Sequence, residues 1–567
     1  MRTRLEKELG GKRAVRPMTI GTFHSICLNL LKSRKREVVL ADEYQCRDAA
    51  EQVIRQTGLK LRPAQLVQEI SRLKNGLASE HILPDNTIAL YQEQLEREGL
   101  MDFDDLLLQV LKMIDAGGNP DNQISDPDME QALLSFSYLL VDEYQDINNI
   151  QYQLVRAWAK GHESLFVIGD PDQSIYGFRG SNAECFHLLK EQFAHVRDIR
   201  LTRNYRSAPE ILSCALPVIN RNPGENRILI AQQPSGIPVS LLTAESDLSE
   251  GIFIAKEINR MTGGIDMLDA QQYAIHTDKP RSFQDIAILY RTHRQAKVLE
   301  SCLRKEGIPY VVTGRDDFLA DETVRGVLAF FRFLLNPEDE ASVKICLKNV
   351  WNYDDGLIGE FLDVLRQNQV KELDARQLRK LDSQLSPALE LASCWQMVRL
   401  FLPTVRREKP ASLIDKWLEA NEIGMSEPLR RLLNMAVLHK DMPEFLQTLL
   451  LGQEGDLQRS ADKVYASGAV TLMTLHGSKG LEFPVVFLCG VKKGCLPYES
   501  VTHPADPDEE RRLFYVGMTR AREELIILTS REPSEFLEDI PEGCVEKGDV
   551  HKRKDGNAME QLSLFDL

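Results

Sequence analysis

The sequence predicts an α/β protein built on two parallel-sheet cores, each interrupted by a helical insertion. Short apolar runs ending in polar residues occur at SYLLVDE, ESLFVIGDPD and VRDIRLTRNYRS, and again at DIAILYR, AVTLMTLHG and PVVFLCGV. Runs of this kind mark strands buried on both faces of a parallel sheet, with chemistry carried at their carboxyl ends. Two stretches, residues 30–100 and 319–462, instead carry apolar residues at helical spacing. The length, 567 residues, suffices for several buried cores.

In chain order, AAEQVIRQTGLKLRPAQLVQEISRLKNGL is dense in strong helix formers, as expected of the first helical stretch. The strand-like runs begin after residue 135. ETVRGVLAFFRFLL and SEPLRRLLNMAVLHK represent the second helical stretch, and from about residue 541 the segment EKGDVHKRKDGNAMEQ has the composition of a polar linker. Apolar and charged fractions of 43% and 27% are those of a globular chain and argue against a disordered or fibrous one. A net charge of −16 excludes a uniformly basic surface, so any nucleic-acid contact must be local. The opening MRTRLEKELGGKR has no apolar core for a signal peptide, and no later run is long enough to span a membrane, so a cytoplasmic enzyme is expected. Ten cysteines without a C-x-x-C pair read as reduced packing residues. The basic runs Lys32–Arg36 and Arg406–Lys409 read as solvated faces.

LLVDEYQD places Asp142 and Glu143 directly after a buried strand, where an open α/β sheet presents its ligand crevice. Phosphoryl transfer needs a carboxylate for Mg²⁺ and a polar group that orients water, and these two acids supply both; a solvated turn or a helix N-terminal cap is the alternative. The next strand opens into PDQSIYGFRGS, in which Tyr176, Phe178 and Arg179 suit single-stranded nucleic acid, because bases stack on rings while arginine takes phosphate. An aromatic corner packed into the core is the alternative. Gln173, upstream at the strand end, is placed to hydrogen-bond a terminal phosphate and link the two ligands.

GTFHS, DFDDLL, LLVDEYQD, IGDPDQSIYGFRGS, LTRNYRS, VTLMTLHGSKGLEF and RRLFYVGMTRAREEL resemble, in order, the helicase motifs of the UvrD/Rep/PcrA group within superfamily 1. The resemblance implies two RecA-like parallel-sheet cores, the first incomplete at its N-terminus, with ATP between them and single-stranded DNA crossing both. It divides the chain into a remnant of the first core (1–29), its helical insertion (30–100), the remainder of that core with motifs II and III (101–200), the second core (201–318), its helical insertion (319–462), the completion of the second core (463–540) and a flexible tail (541–567). By resemblance Asp142 holds Mg²⁺, Glu143 activates water, Gln173 senses the γ-phosphate, Tyr205 stacks on adenine, and Arg206 and Arg520 are arginine fingers. Gly480 lets the backbone approach the nucleotide and Glu482 contacts its sugar. Thr22, Phe23, His24, Phe103, Tyr176, Phe178 and Arg179 match strand-contacting positions, and His476 matches the residue coupling the nucleotide to the DNA path. For Phe23 and Phe103 ordinary core packing is the alternative, and for His476 a strand-end histidine satisfied by backbone. Phe178 stands where the family usually has tryptophan, which implies less stacking area and weaker base holding. The implied activity is ATP-dependent 3′ to 5′ unwinding or translocation on single-stranded DNA in repair, replication or recombination.

The phosphate loop GxxxxGK(S/T) that should precede these motifs is not found; Gly10-Gly11-Lys12-Arg13 lacks the upstream glycine and the hydroxyl. Without that cradle of N–H groups and lysine charge the chain should bind ATP poorly. The expectations are therefore the carboxyl portion of a longer helicase, or, as the alternative, an ATPase-incompetent DNA-binding fragment or partner subunit. A parallel sheet without its early strands should also leave apolar surface open. The chain ends QLSLFDL, which resembles the bacterial sliding-clamp-binding peptide: Gln561 for a polar notch, and Leu562, Leu564 and Phe565 for an apolar pocket, on a flexible leash. An apolar end docking on its own protein is the alternative.

Overall fold

The computed structural model describes residues 2–33, 38–79, 81–117, 136–159, 164–177, 180–181, 184–193, 195–263, 281–314, 318–385, 391–437, 439–451, 468–499 and 506–550. They form two compact units: residues 1–169, 176–187 and 317–457, and residues 170–175, 188–316 and 458–567.

In the first unit, β1 (Val39–Leu40) pairs parallel with β2 (Leu100–Met101), and β3 (Tyr138–Val141) pairs parallel with β4 (Ser164–Val167). The face of the β3–β4 pair bearing Tyr138, Leu140 and Phe166 is open, with exposures of 63%, 71% and 50%. The remainder is mainly helical. Phe23–Ser33, Phe103–Gly117 and Asn149–Trp158 bury Leu28, Leu31, Leu107, Val110, Leu154 and Trp158 against one another. Glu43–Thr57, Pro63–Lys74 and Thr87–Arg97 share a second cluster around Val53, Ile70, Tyr91 and Leu95.

The later helical stretch packs with this unit, and its first helices touch the early ones. Asp42 caps Glu43–Thr57 through Gln45 and also accepts from Arg332 Nη1 at 2.9 Å, and Ala341 joins the core of the early helices. Phe330, Phe331, Phe401 and Trp417 build its own aromatic core.

The second unit is organised by a seven-stranded parallel sheet whose strands are β7 (Val239–Thr243), β8 (Ile286–Tyr290), β9 (Tyr310–Val312), β10 (Val470–Thr474), β11 (Phe483–Leu488), β12 (Ala521–Thr529) and β13 (Val545–Asp549). Their order is β13-β7-β12-β11-β8-β10-β9. A separate parallel pair, β5 (Arg203–Asn204) and β6 (Ile230–Ala231), precedes it in the chain. All of Ile286–Tyr290 is buried, as a central parallel strand requires. Helices Asp247–Met261 and His293–Lys305 cover one face through Ile254, Ile258, Leu299 and Leu303. On the other face Gly517, in helix Pro507–Met518, admits Leu475 and Leu488 so closely that an added Cβ would stand 2.4 Å and 3.2 Å from their methyls.

The expected flexible tail at 541–567 needs correction. Residues 545–549 form β13, in register with all five residues of β7. VEKGD shows no apolar run because this edge strand is held by its backbone ladder and keeps its charged side chains in water. All ten cysteines are free, and eight are buried, as packing residues should be. Among the described residues no helix is long and apolar enough to cross a membrane.

Candidate functional site

In the first unit Asp142 and Glu143 emerge, both exposed, at the carboxyl end of β3. Glu143 has φ 51° and ψ 42°, a left-handed conformation that a non-glycine residue adopts only under constraint. Its N–H donates to Asp142 Oδ1 at 3.0 Å, and Gln145 Nε2 donates to Glu143 Oε2 at 2.6 Å. Gln145 and Tyr144 are buried beneath the acids, with Tyr144 edge-on to Phe186 at 5.2 Å. Gly169 makes room for them: a Cβ there would lie 2.3 Å from Gln145 Oε1 and 3.0 Å from Tyr144 N. Neither Gln145 nor Gly169 was a sequence candidate, although both lie inside the quoted motifs.

Among the DNA-side candidates, Thr22 opens helix Phe23–Ser33, its Oγ1 accepting from Ser25 N at 3.3 Å. Phe23 stacks on Trp158 at 5.9 Å with planes 5° apart, and His24 meets Phe103 edge-on at 5.1 Å. Phe23 and Phe103 are half-buried at the rim of a core cluster, so core packing and a free ring edge coexist. Burial lowers the His24 imidazole to about 4, so it is neutral at physiological pH. Tyr176 is half-buried, and its carbonyl accepts from Ser181 N at 3.2 Å. Phe178, Arg179, Gln561, Leu562, Leu564 and Phe565 lie outside the described residues.

The second unit gathers the remaining nucleotide candidates. Gln173 ends the short turn Pro171–Gln173; its Nε2 donates to Asp170 Oδ2 at 2.7 Å, and Arg520 Nη2 reaches its Oε1 at 3.5 Å. Residues 170–175 belong to this unit rather than to the core that carries motif II. Cations explain why: Lys479 Nζ donates to the Gln173 carbonyl at 2.7 Å, Arg512 Nε to the Ser174 carbonyl at 2.8 Å, and Arg227 forms a two-pronged pair with Asp172. Arg227 and Arg512 could not have been picked out from sequence, since nothing local pairs them with motif III.

Arg520 is fully buried, held by the carbonyls of Val516 at 2.9 Å and Leu481 at 3.1 Å. Burial, and then the neighbouring Arg206 cation, bring its pKa down to about 10, so it remains charged at neutral pH. Arg206 Nε pairs with Glu482 Oε2 at 2.8 Å, and Arg522 stands 3.6 Å from the same carboxylate. Asn204 Oδ1 fixes the turn by accepting from the N–H groups of Arg206 and Ser207. Tyr205 is 65% exposed. Gly480 has φ +79°, which glycine adopts without strain, and His476 lies in the turn His476–Ser478 after β10. Gln173, Arg206, Arg520 and Glu482 thus lie close together in the second unit. Among the described residues no group of three or more His, Cys, Asp or Glu side chains could hold a metal unaided. A Mg²⁺ ion held by Asp142 would complete its coordination with water and phosphate oxygens.

Residues 1–194 match the UvrD/REP helicase N-terminal domain, and residues 199–378 and 412–532 the UvrD-like helicase C-terminal domain. The ATP-dependent DNA helicase PcrA of Bacillus subtilis is 29% identical over 98% of this chain and 79% of its own length. The ATP-dependent DNA helicase UvrD1 of Mycobacterium bovis is 30% identical over 96% and 78%, and the PcrA of Staphylococcus epidermidis 27% over 98% and 80%.

Proposed function

This chain belongs to the UvrD/REP helicase family, and we propose that it serves ATP-driven 3′ to 5′ movement along single-stranded DNA, with strand separation, in repair, replication or recombination. The observation that carries this reading is the convergence of Gln173, Arg206, Arg520 and Glu482 in one unit, with Tyr205 exposed beside them. Glu482 and Tyr205 hold the nucleoside, and the two guanidiniums meet charge that builds on the transferring phosphoryl group. Asp142 is the carboxylate that would hold Mg²⁺, which supplies charge neutralisation when bound; Glu143, aimed by Gln145, orients the attacking water. Thr22, Phe23, His24, Phe103, Tyr176, Phe178, Arg179 and His476 serve the DNA strand. The peptide Gln561–Phe565 tethers the protein to a bacterial sliding clamp, and the protein works in the cytoplasm.

A second reading, a DNA-binding and clamp-tethered module without ATPase, is favoured by one observation: the 567 residues include no GxxxxGK(S/T). Oligo-dT binding by the chain, measured together with oligo-dT-stimulated ATP hydrolysis by the chain extended at its N-terminus with a GxxxxGK(S/T) segment, separates the two. Hydrolysis lost on Glu143→Gln supports the first; DNA binding without hydrolysis supports the second; failure to bind oligo-dT removes both.

A further inference from the structure

Helix Asn149–Trp158 begins just past the motif II acids, and both of its ends are held by groups adjoining DNA-side candidates. At its far end Trp158 stacks on Phe23. At its near end, Asn148 caps Gln151 N at 2.9 Å, while Asn75, from the end of helix Pro63–Lys74, takes two further donors. The Asn75 carbonyl accepts from Asn149 Nδ2 at 2.8 Å, and its Oδ1 accepts from Ile150 N at 3.4 Å. Ile150 N is one of the N–H groups that a helix start leaves without an intrahelical partner.

Asn75 is only 3% exposed and is itself fixed by the acids of DFDD. Its Nδ2 donates to the Ser71 carbonyl at 2.9 Å and lies 3.4 Å from Asp104 Oδ1, while Ser71 Oγ donates to Asp104 Oδ2 at 2.5 Å. The adjacent Lys74 ammonium, almost completely buried, bridges Asp102 at 2.6 Å and Asp105 at 2.8 Å. These acids flank Phe103, whose ring rests on His24. A short α-helix moves as a rigid rod, so a shift at Phe23 or Phe103 reaches the Asp142–Glu143 end without unravelling the helix.

We propose that Asn75 is a positioning residue that couples the strand-contacting rings to the motif II acids through helix Asn149–Trp158. This rests on the reading above that Phe23, His24 and Phe103 meet the DNA strand. Neither Asn75 nor Asn149 belongs to the proposed binding or catalytic groups, and the coupling can be read without ATP.

The test measures oligo-dT affinity by fluorescence anisotropy, and amide hydrogen exchange across residues 142–151 with and without oligo-dT, for the unmodified chain, Asn75→Ala, and the milder Asn149→Ala. The unmodified chain should bind oligo-dT and slow exchange in that segment by about five- to tenfold, the low end of ordinary site-to-site coupling. Either variant should keep its oligo-dT affinity within about twofold yet lose most of that slowing. Should Asn75→Ala fold poorly, Asn149→Ala alone decides. Unchanged slowing in Asn149→Ala overturns the coupling but leaves the DNA reading standing. Absence of oligo-dT binding by the unmodified chain overturns both.

Discussion

Replacing Asp104 by asparagine should stabilise the first unit above pH 6 and leave it unaltered near pH 4. Burial raises the Asp104 carboxyl from its ordinary 3.8 to about 6, against the opposing hydrogen bond from Ser71. The folded state therefore holds its proton to higher pH than the unfolded chain does. Stability is lost as pH rises from about 4 to 6, and the deficit is constant above that. A shift of this size corresponds to about 3 kcal/mol at the ceiling, and to about 1–2 kcal/mol once the residue's partial exposure is allowed for. Asparagine carries no charge and keeps an acceptor for Ser71 Oγ but turns its amide nitrogen toward Asn75 Nδ2, so Asp104→Asn recovers at most that amount at pH 7.5 and nothing at pH 4. Because a chain of two units need not unfold in one step, the suitable assay is a urea titration of amide protection in helix Phe103–Gly117 at both pH values. A gain of equal size at both, or a loss at pH 7.5, would show that the buried Asp104 charge does not limit stability.

The remaining predictions concern packing, charge and binding. Gly169→Ala places a Cβ against Gln145 and Tyr144 and should cost about 1–3 kcal/mol in thermal unfolding of the first unit, while releasing Gln145 from Glu143. Lys74→Met leaves Asp102 and Asp105 without their cation and should cost about 3–5 kcal/mol by the same measurement. Phe178→Trp should tighten oligo-dT binding several-fold in anisotropy titrations, since a larger ring adds roughly 1 kcal/mol of stacking. Deleting residues 561–567 should abolish sliding-clamp pull-down while leaving oligo-dT affinity unaltered.

Where a motif and its supporting strand are contiguous, the sequence makes both legible. LLVDEYQD and DIAILYR each announce a strand with polar residues at its end, and β3 and β8 lie there, although only β8 is buried while β3 leaves Tyr138 and Leu140 exposed. Gly480 stands out for the same reason, whereas Glu482 is picked out only by the family resemblance. The partners that fix these groups are less visible. Arg227 meets Asp172 from 55 residues away and Arg512 meets Ser174 from 338, distances at which sequence pattern carries no pairing information. The strand β13 escaped because its stabilisation is backbone hydrogen bonding at a sheet edge, which leaves no hydrophobic signature. Gly169 could have been suspected from its place at a strand end, but only the closeness of Gln145 shows why no side chain fits.

The proposed part of Arg206, Arg520, Gln173, Asp142 and Glu143 in ATP hydrolysis underlies the whole reading. Its most direct measurement is oligo-dT-stimulated ATP hydrolysis by this chain fused behind a strand–loop–helix segment that carries GxxxxGK(S/T). DNA-dependent hydrolysis should appear and fall by about 10³-fold or more in Arg520→Ala and in Glu143→Gln. A hydrolysis rate unaffected by either substitution would contradict it.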